Sequence, residues 1–174
     1  DSLTVTVTTS FDSGLLGHYS FTGNANDVSG NGNDGEAKGA ALAADRHGKA
    51  DRAYQFSGLQ HIQLPPSLPG NGSQLTLSIW AKTSTKNPAY WPRLIGGEAT
   101  EKVEWNIGIN LTRGTDKFSW EVNTLEGDFS SAGVQVPQDE WFHAVLVYDG
   151  KRVNTYLNGK LGISFPAAGK LRPM

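Results

Sequence analysis

Apolar and polar residues alternate at period two in many short segments, and no apolar three-to-four spacing runs long enough to build a core helix. The alternation predicts strands at 53–56, 61–64, 75–81, 93–95, 105–111, 117–122, 142–148 and 152–157. A further alternation, Ser2 to Thr9, reads equally as a strand of this domain and as the end of a preceding one. Every gap carries turn chemistry. Asp149-Gly150 and Asn158-Gly159 each sit between apolar runs, the pattern of two-residue hairpins, and so set three antiparallel strands in a row. The Gly-, Asn- and Asp-rich stretch from Thr22 to Gly35 reads as loop, because these residues tolerate positive φ and bond their own backbone.

Many short strands joined by turns predict an all-β fold, a two-sheet antiparallel β-sandwich of the jelly-roll type. Alternation assigns Trp105, Ile107, Ile109 and Leu111 to one core face and Phe118, Trp120 and Val122 to another. Trp80 and Trp141 are expected among the buried indoles. Asn106, Asn110, Ser119, Glu121 and Asn123 then point away from the core, on a face that is polar without being highly charged. The 174 residues suffice for one domain, assigned to 15–174, with 1–14 as an N-terminal strand or linker.

Composition narrows the function. A formal net charge of -2 provides no basic field for phosphates, so nucleic acid is not an expected partner. Without cysteine there is no disulfide, thiolate nucleophile or Cys-ligated metal. No run approaches the ~20 apolar residues of a helical membrane span, so membrane insertion is not expected. The only methionine is Met174, so the chain is expected to derive from a longer precursor.

Three phrases carry a family resemblance. They are Leu16 to Gly35; Ala53-Tyr54-Gln55-Phe56-Ser57-Gly58 with Leu77 to Lys82; and Trp141 to Gly150 leading into Thr155-Tyr156-Leu157-Asn158-Gly159-Lys160. From about Leu15 to Gly162 the chain resembles the laminin-G-like domains of the concanavalin A-like lectin/glucanase superfamily, in the form found as accessory modules of bacterial secreted proteins. The resemblance implies a concanavalin A-like sandwich, an extracellular or cell-surface location, and binding of a glycan or protein ligand. Family members continue past the Leu-Asn-Gly-Lys hairpin with further strands and an acidic segment, whereas here Leu161 to Met174 remain. An open sheet edge is therefore expected, which admits a homodimer or strand exchange unless the Ser2 to Thr9 strand fills it.

The resemblance further implies a structural Ca²⁺ in the Gly/Asn loop, with Asn24 and Asp27 as ligands and Asn26 beside them. The residues themselves also fit a turn stitched by Asx hydrogen bonds without metal. Tyr90 and Trp91, in a proline-bounded loop, read either as a binding tip or as aromatics folded back onto the sandwich. Arg93, Asn106, Asn110, Glu121 and Asn123 complete the expected ligand-binding set on the outer face or its rim. No catalytic residue is assigned: Glu98, Glu101 and Glu104, spaced by three, alternate faces in an extended segment instead of forming a carboxylate pair. The expected function is a non-catalytic carbohydrate- or protein-binding module. A spacer pairing through an open edge is the alternative, and a polysaccharide-cleaving enzyme a third reading.

Overall fold

Where apolar side chains alternate with polar ones, the chain forms strands, and the computed structural model describes residues 14–66, 68, 72–83, 93–98, 105–112 and 117–172. Among them are twelve strands and no helix. The chain divides into two compact units, Asp1–Leu68 and Pro69–Met174.

The first unit contains β1 (Glu36–Lys38), β2 (Ala41–Ala43), β3 (Ala53–Gln55) and β4 (His61–Gln63). β1 pairs with β4 and β2 with β3, both antiparallel. Tyr19, Phe21, Tyr54 and Phe56 form a row of rings with successive centroids 6.4, 5.2 and 6.4 Å apart, the middle pair edge to face.

The second unit contains β5 (Leu75–Lys82), β6 (Arg93–Glu98), β7 (Trp105–Leu111), β8 (Lys117–Thr124), β9 (Gly127–Gln135), β10 (Trp141–Tyr148), β11 (Arg152–Leu157) and β12 (Lys160–Pro166). They form two four-stranded antiparallel sheets, ordered β12-β11-β10-β5 and β6-β7-β8-β9. One sheet contributes Ile109, Leu111, Phe118, Trp120 and Val122 to the core, and the other Phe142, Ala144, Leu146, Tyr148 and Val153. Removing each large apolar side chain from water stabilises by roughly 1.5–3 kcal/mol, which makes this layer the main source of cohesion.

Both Asx-Gly hairpins form as expected. At the first, Gly150 has φ 87° and Asp149 Oδ1 accepts from the N–H groups of Lys151 and Arg152 at 2.9 and 2.7 Å. At the second, Asn158 has φ 49° and Oδ1 accepting from His143 N at 2.8 Å. After β12 the chain turns back: Thr124 Oγ1 donates to Ala168 O at 2.7 Å, Tyr148 Oη to Gly169 O at 2.5 Å and Leu171 N to Gly72 O at 3.0 Å. Leu171 is buried by this return.

Two expectations are corrected. Trp80 is 43% exposed, not buried, because it shares a phase with Thr76 and Ser78 while Leu77, Ile79 and Ala81 turn inward. Its indole stacks on His143 instead, with centroids 5.0 Å apart and planes 13° from parallel. In the first unit His18 lies in irregular backbone, where its N–H is taken by Asp27 and its carbonyl accepts from Val28 N. The outer face of β7 and β8 is also less wet than alternation implies: Asn110, Ser119 and Asn123 are all buried.

Candidate functional site

On β8 the side chains of Phe118, Trp120 and Val122 enter the core, so Ser119, Glu121 and Asn123 project from the opposite face. Antiparallel register then fixes their neighbours. Asn110 of β7 stands opposite Ser119, Gly108 opposite Glu121, and Asp128 of β9 opposite Asn123. Arg93 of β6 is paired with Asn110. Four of the expected ligand-binding residues, Arg93, Asn110, Glu121 and Asn123, are thereby brought onto one polar face.

The four side chains touch. Arg93 Nε donates to Asn110 Oδ1 at 3.0 Å, and its Nη2 lies 3.8 Å from Glu121 Oε2. Asn123 Nδ2 donates to Glu121 Oε1 at 3.5 Å. The contacts at 3.8 and 3.5 Å are long beside an ordinary hydrogen bond, and Asn110 adds a further hydrogen bond to the carboxylate. Gly108 lies beside the crossing: a Cβ there would meet Arg93 Nε at 3.7 Å, an ordinary contact, and crowd Ile95 O at 3.3 Å. Burial pushes the Glu121 carboxyl above its ordinary range, against the opposing pull of Arg93 and of the Asn123 and Asn110 hydrogen bonds. A carboxylate so placed marks a candidate binding position, since perturbed acids gather at functional sites.

Arg172 borders this face. Its backbone N–H donates to Asn123 O at 3.1 Å, its Nε to Thr124 O at 3.0 Å, and its Nη2 pairs with Asp128 Oδ1 at 2.6 Å. Alternation alone does not point to Gly108, Asp128 or Arg172. A glycine inside a strand was the one signal available, since it marks a close approach by another group. The Asn106 side chain, and Tyr90 and Trp91 altogether, lie outside the described residues.

The Gly/Asn loop belongs to the first unit and is organised by Asp27. Asp27 Oδ1 accepts from His18 N at 2.9 Å and Ser29 N at 2.8 Å, while Oδ2 accepts from Ser29 Oγ at 2.8 Å and Asn33 N at 3.1 Å. These donors hold its carboxyl far below the usual carboxylate range. Asn24 Oδ1 accepts from Asn26 N at 3.0 Å, an Asx turn. All four acceptor directions of Asp27 face N–H or O–H groups, so an ion there would have to displace one of them. Among the described residues no three His, Asp or Glu side chains are gathered as metal ligands. As folded, Asn24, Asn26 and Asp27 make a hydrogen-bonded turn.

With this geometry established, comparison with known proteins adds two findings. A family profile described as the concanavalin A-like lectin/glucanases superfamily matches residues 56–173. Among solved structures, the chain is similar to domain 4 of AbnA, a GH43 extracellular arabinanase from Geobacillus stearothermophilus, in complex with arabinotriose. The TM-score is 0.66 at 22% identity, covering 89% of this chain and 76% of that one. At that identity the likeness is one of fold. No curated protein sequence matches the chain.

Proposed function

The chain belongs to the concanavalin A-like lectin/glucanases superfamily, and from that premise we propose that it is a non-catalytic carbohydrate-binding module of a secreted or cell-surface protein, with its ligand on the polar face of the β6-β7-β8-β9 sheet. The observation that carries this reading is the convergence of Arg93, Asn110, Glu121 and Asn123, joined by hydrogen bonds and an ion pair, on one partly buried sheet face. Sugar hydroxyls both donate and accept. A face that alternates guanidinium, amide and carboxylate offers each of them a partner, and a rigid sheet loses little freedom when they engage.

The arrangement favours binding over cleavage. Glycoside hydrolysis needs two carboxyl groups acting as a pair across the scissile bond. Here Glu121 is tied to Arg93 and Asp128 to Arg172, so each acid faces a cation. The solved structural neighbour, a domain of an arabinanase in complex with arabinotriose, supports a sugar ligand and suggests the first probe.

Isothermal titration with arabinotriose, xylotriose, cellotriose and galactotriose tests the reading. At least one should bind in the micromolar to millimolar range, and Arg93→Ala should weaken that ligand about tenfold or more, the loss of a charged hydrogen bond worth roughly 1.5–3 kcal/mol. Silence across the panel, or equal binding by Arg93→Ala, would reject it.

A further inference from the structure

Arg93, the cation within this cluster, is already paired with Glu121, and that pairing has a consequence for the ligand. Resting on the carbohydrate-binding reading, we propose that the site selects uncharged sugars and discriminates against uronates and other anionic glycans. Among the described residues, the charged groups joined to the cluster by ion pairs are Arg93 with Glu121 and Arg172 with Asp128. Lys117, exposed at the start of β8, shares the outward phase of Ser119 and Glu121.

Position strengthens the point. Arg93, the cation nearest the cluster amides, is engaged on both sides, by Asn110 Oδ1 at Nε and by Glu121 at Nη2. A ligand carboxylate competing for that guanidinium must approach the Glu121 carboxylate in a partly buried setting, where like charges repel strongly. On the far side of Asn123 it meets Asp128, across the β8–β9 register. A neutral hydroxyl meets no such cost. It can donate to Glu121, whose contacts to Nη2 and Asn123 are long at 3.8 and 3.5 Å, and accept from an amide. Arg172 acts as a positioning residue: it bonds the backbone carbonyls of Asn123 and Thr124 while neutralising Asp128, and so holds the β8 end of the site and its charge balance together.

The measurement is frontal affinity chromatography on the whole chain with arabinotriose and trigalacturonate, at about 20 mM and about 500 mM NaCl. Arabinotriose is expected to bind with an affinity that changes less than about twofold between the two salts, and trigalacturonate at least about tenfold more weakly. Glu121→Gln leaves Arg93 without its internal anion. It should lift trigalacturonate relative to arabinotriose by about tenfold at low salt, a gain that high salt removes. Asp128→Asn, at a mostly exposed side chain, should move the same ratio in the same direction by a smaller factor and guards against a folding defect in the first variant. Trigalacturonate binding as well as arabinotriose would overturn the inference, and so would a ratio unmoved in both variants. Retention of xylotriose, cellotriose or galactotriose in place of arabinotriose, with trigalacturonate still excluded, supports it. Retention of no sugar overturns the binding reading and this inference with it, an outcome distinct from retention with acidic preference.

Discussion

Glu121 and Asp27 are two carboxylates that the fold treats in opposite ways, and each has a measurable signature. Burial lifts the Glu121 carboxyl, so ionising it costs more in the folded chain than in the unfolded one. Stability contributed at this position is therefore highest below the unfolded value of about 4.3, declines as pH rises through the folded value, and is flat beyond it. Glu121→Gln should accordingly raise the thermal midpoint at neutral pH or leave it unchanged, while the balance between neutral and anionic sugars shifts as described above. A marked drop in midpoint would show that the carboxylate holds the sheet together. Asp27 runs the other way. Its depressed carboxyl contributes stability above the unfolded value near 3.9 and loses it as pH falls toward the folded value. The midpoint should fall on acidification from about pH 5 downward, and Asp27→Asn should flatten that part of the profile and lower the midpoint at neutral pH. An acid profile identical in the variant would assign the dependence elsewhere. At this scale the sequence was informative where alternation sufficed, as for Asn110, Glu121 and Asn123. It was silent on Asp128 and Arg172, which the β8–β9 register and the returning C-terminal segment bring in.

Strands with regular alternation and Asx-Gly turns were legible, and strands that break the period were not. β10 and β11 match their expected spans to within a residue. β9 escaped because Gly127 to Gln135 is built of small and polar residues and carries an irregularity: Ser119 faces Ala132 but Phe118 faces Val134, leaving Gly133 unpaired. β1 and β2, three residues each, are too short to show a period. The β10–β11 hairpin is the best place to test turn chemistry. Gly150 has φ 87°, and a Cβ there would stand 2.8 Å from Ser73 O, so both backbone conformation and backbone contact resist a side chain. Gly150→Ala should destabilise by more than about 1 kcal/mol in urea unfolding, whereas Lys151→Ala, at an exposed neighbour, should stay within about 0.5 kcal/mol. Equal effects would contradict the hairpin as drawn.

For the whole molecule, fold class followed from one physical rule, that period-two side chains stack two antiparallel layers around a dry interior. The division into two compact units does not follow from it; its mark is compositional, the Pro- and Gly-rich run from Pro65 to Ser73 that spans the boundary and that the single-domain expectation passes over. In the second unit the returning segment closes one end of the sandwich through Leu171, 1% exposed and packed with the core. Leu171→Ala should cost about 2–5 kcal/mol, as for other buried leucines, and a loss under about 0.5 kcal/mol would show that this end is not closed as described. Proton–nitrogen correlation spectra of the whole chain, titrated with arabinotriose or whichever neutral trisaccharide binds, test the placement of the ligand most directly. Backbone amides of Arg93, Asn110, Glu121 and Asn123 should shift together along one saturation curve, with those of β10 and β11 unmoved. Saturable shifts confined to β10, β11 or the Asn24 to Gly35 loop, with the β7–β8 amides still, would contradict it.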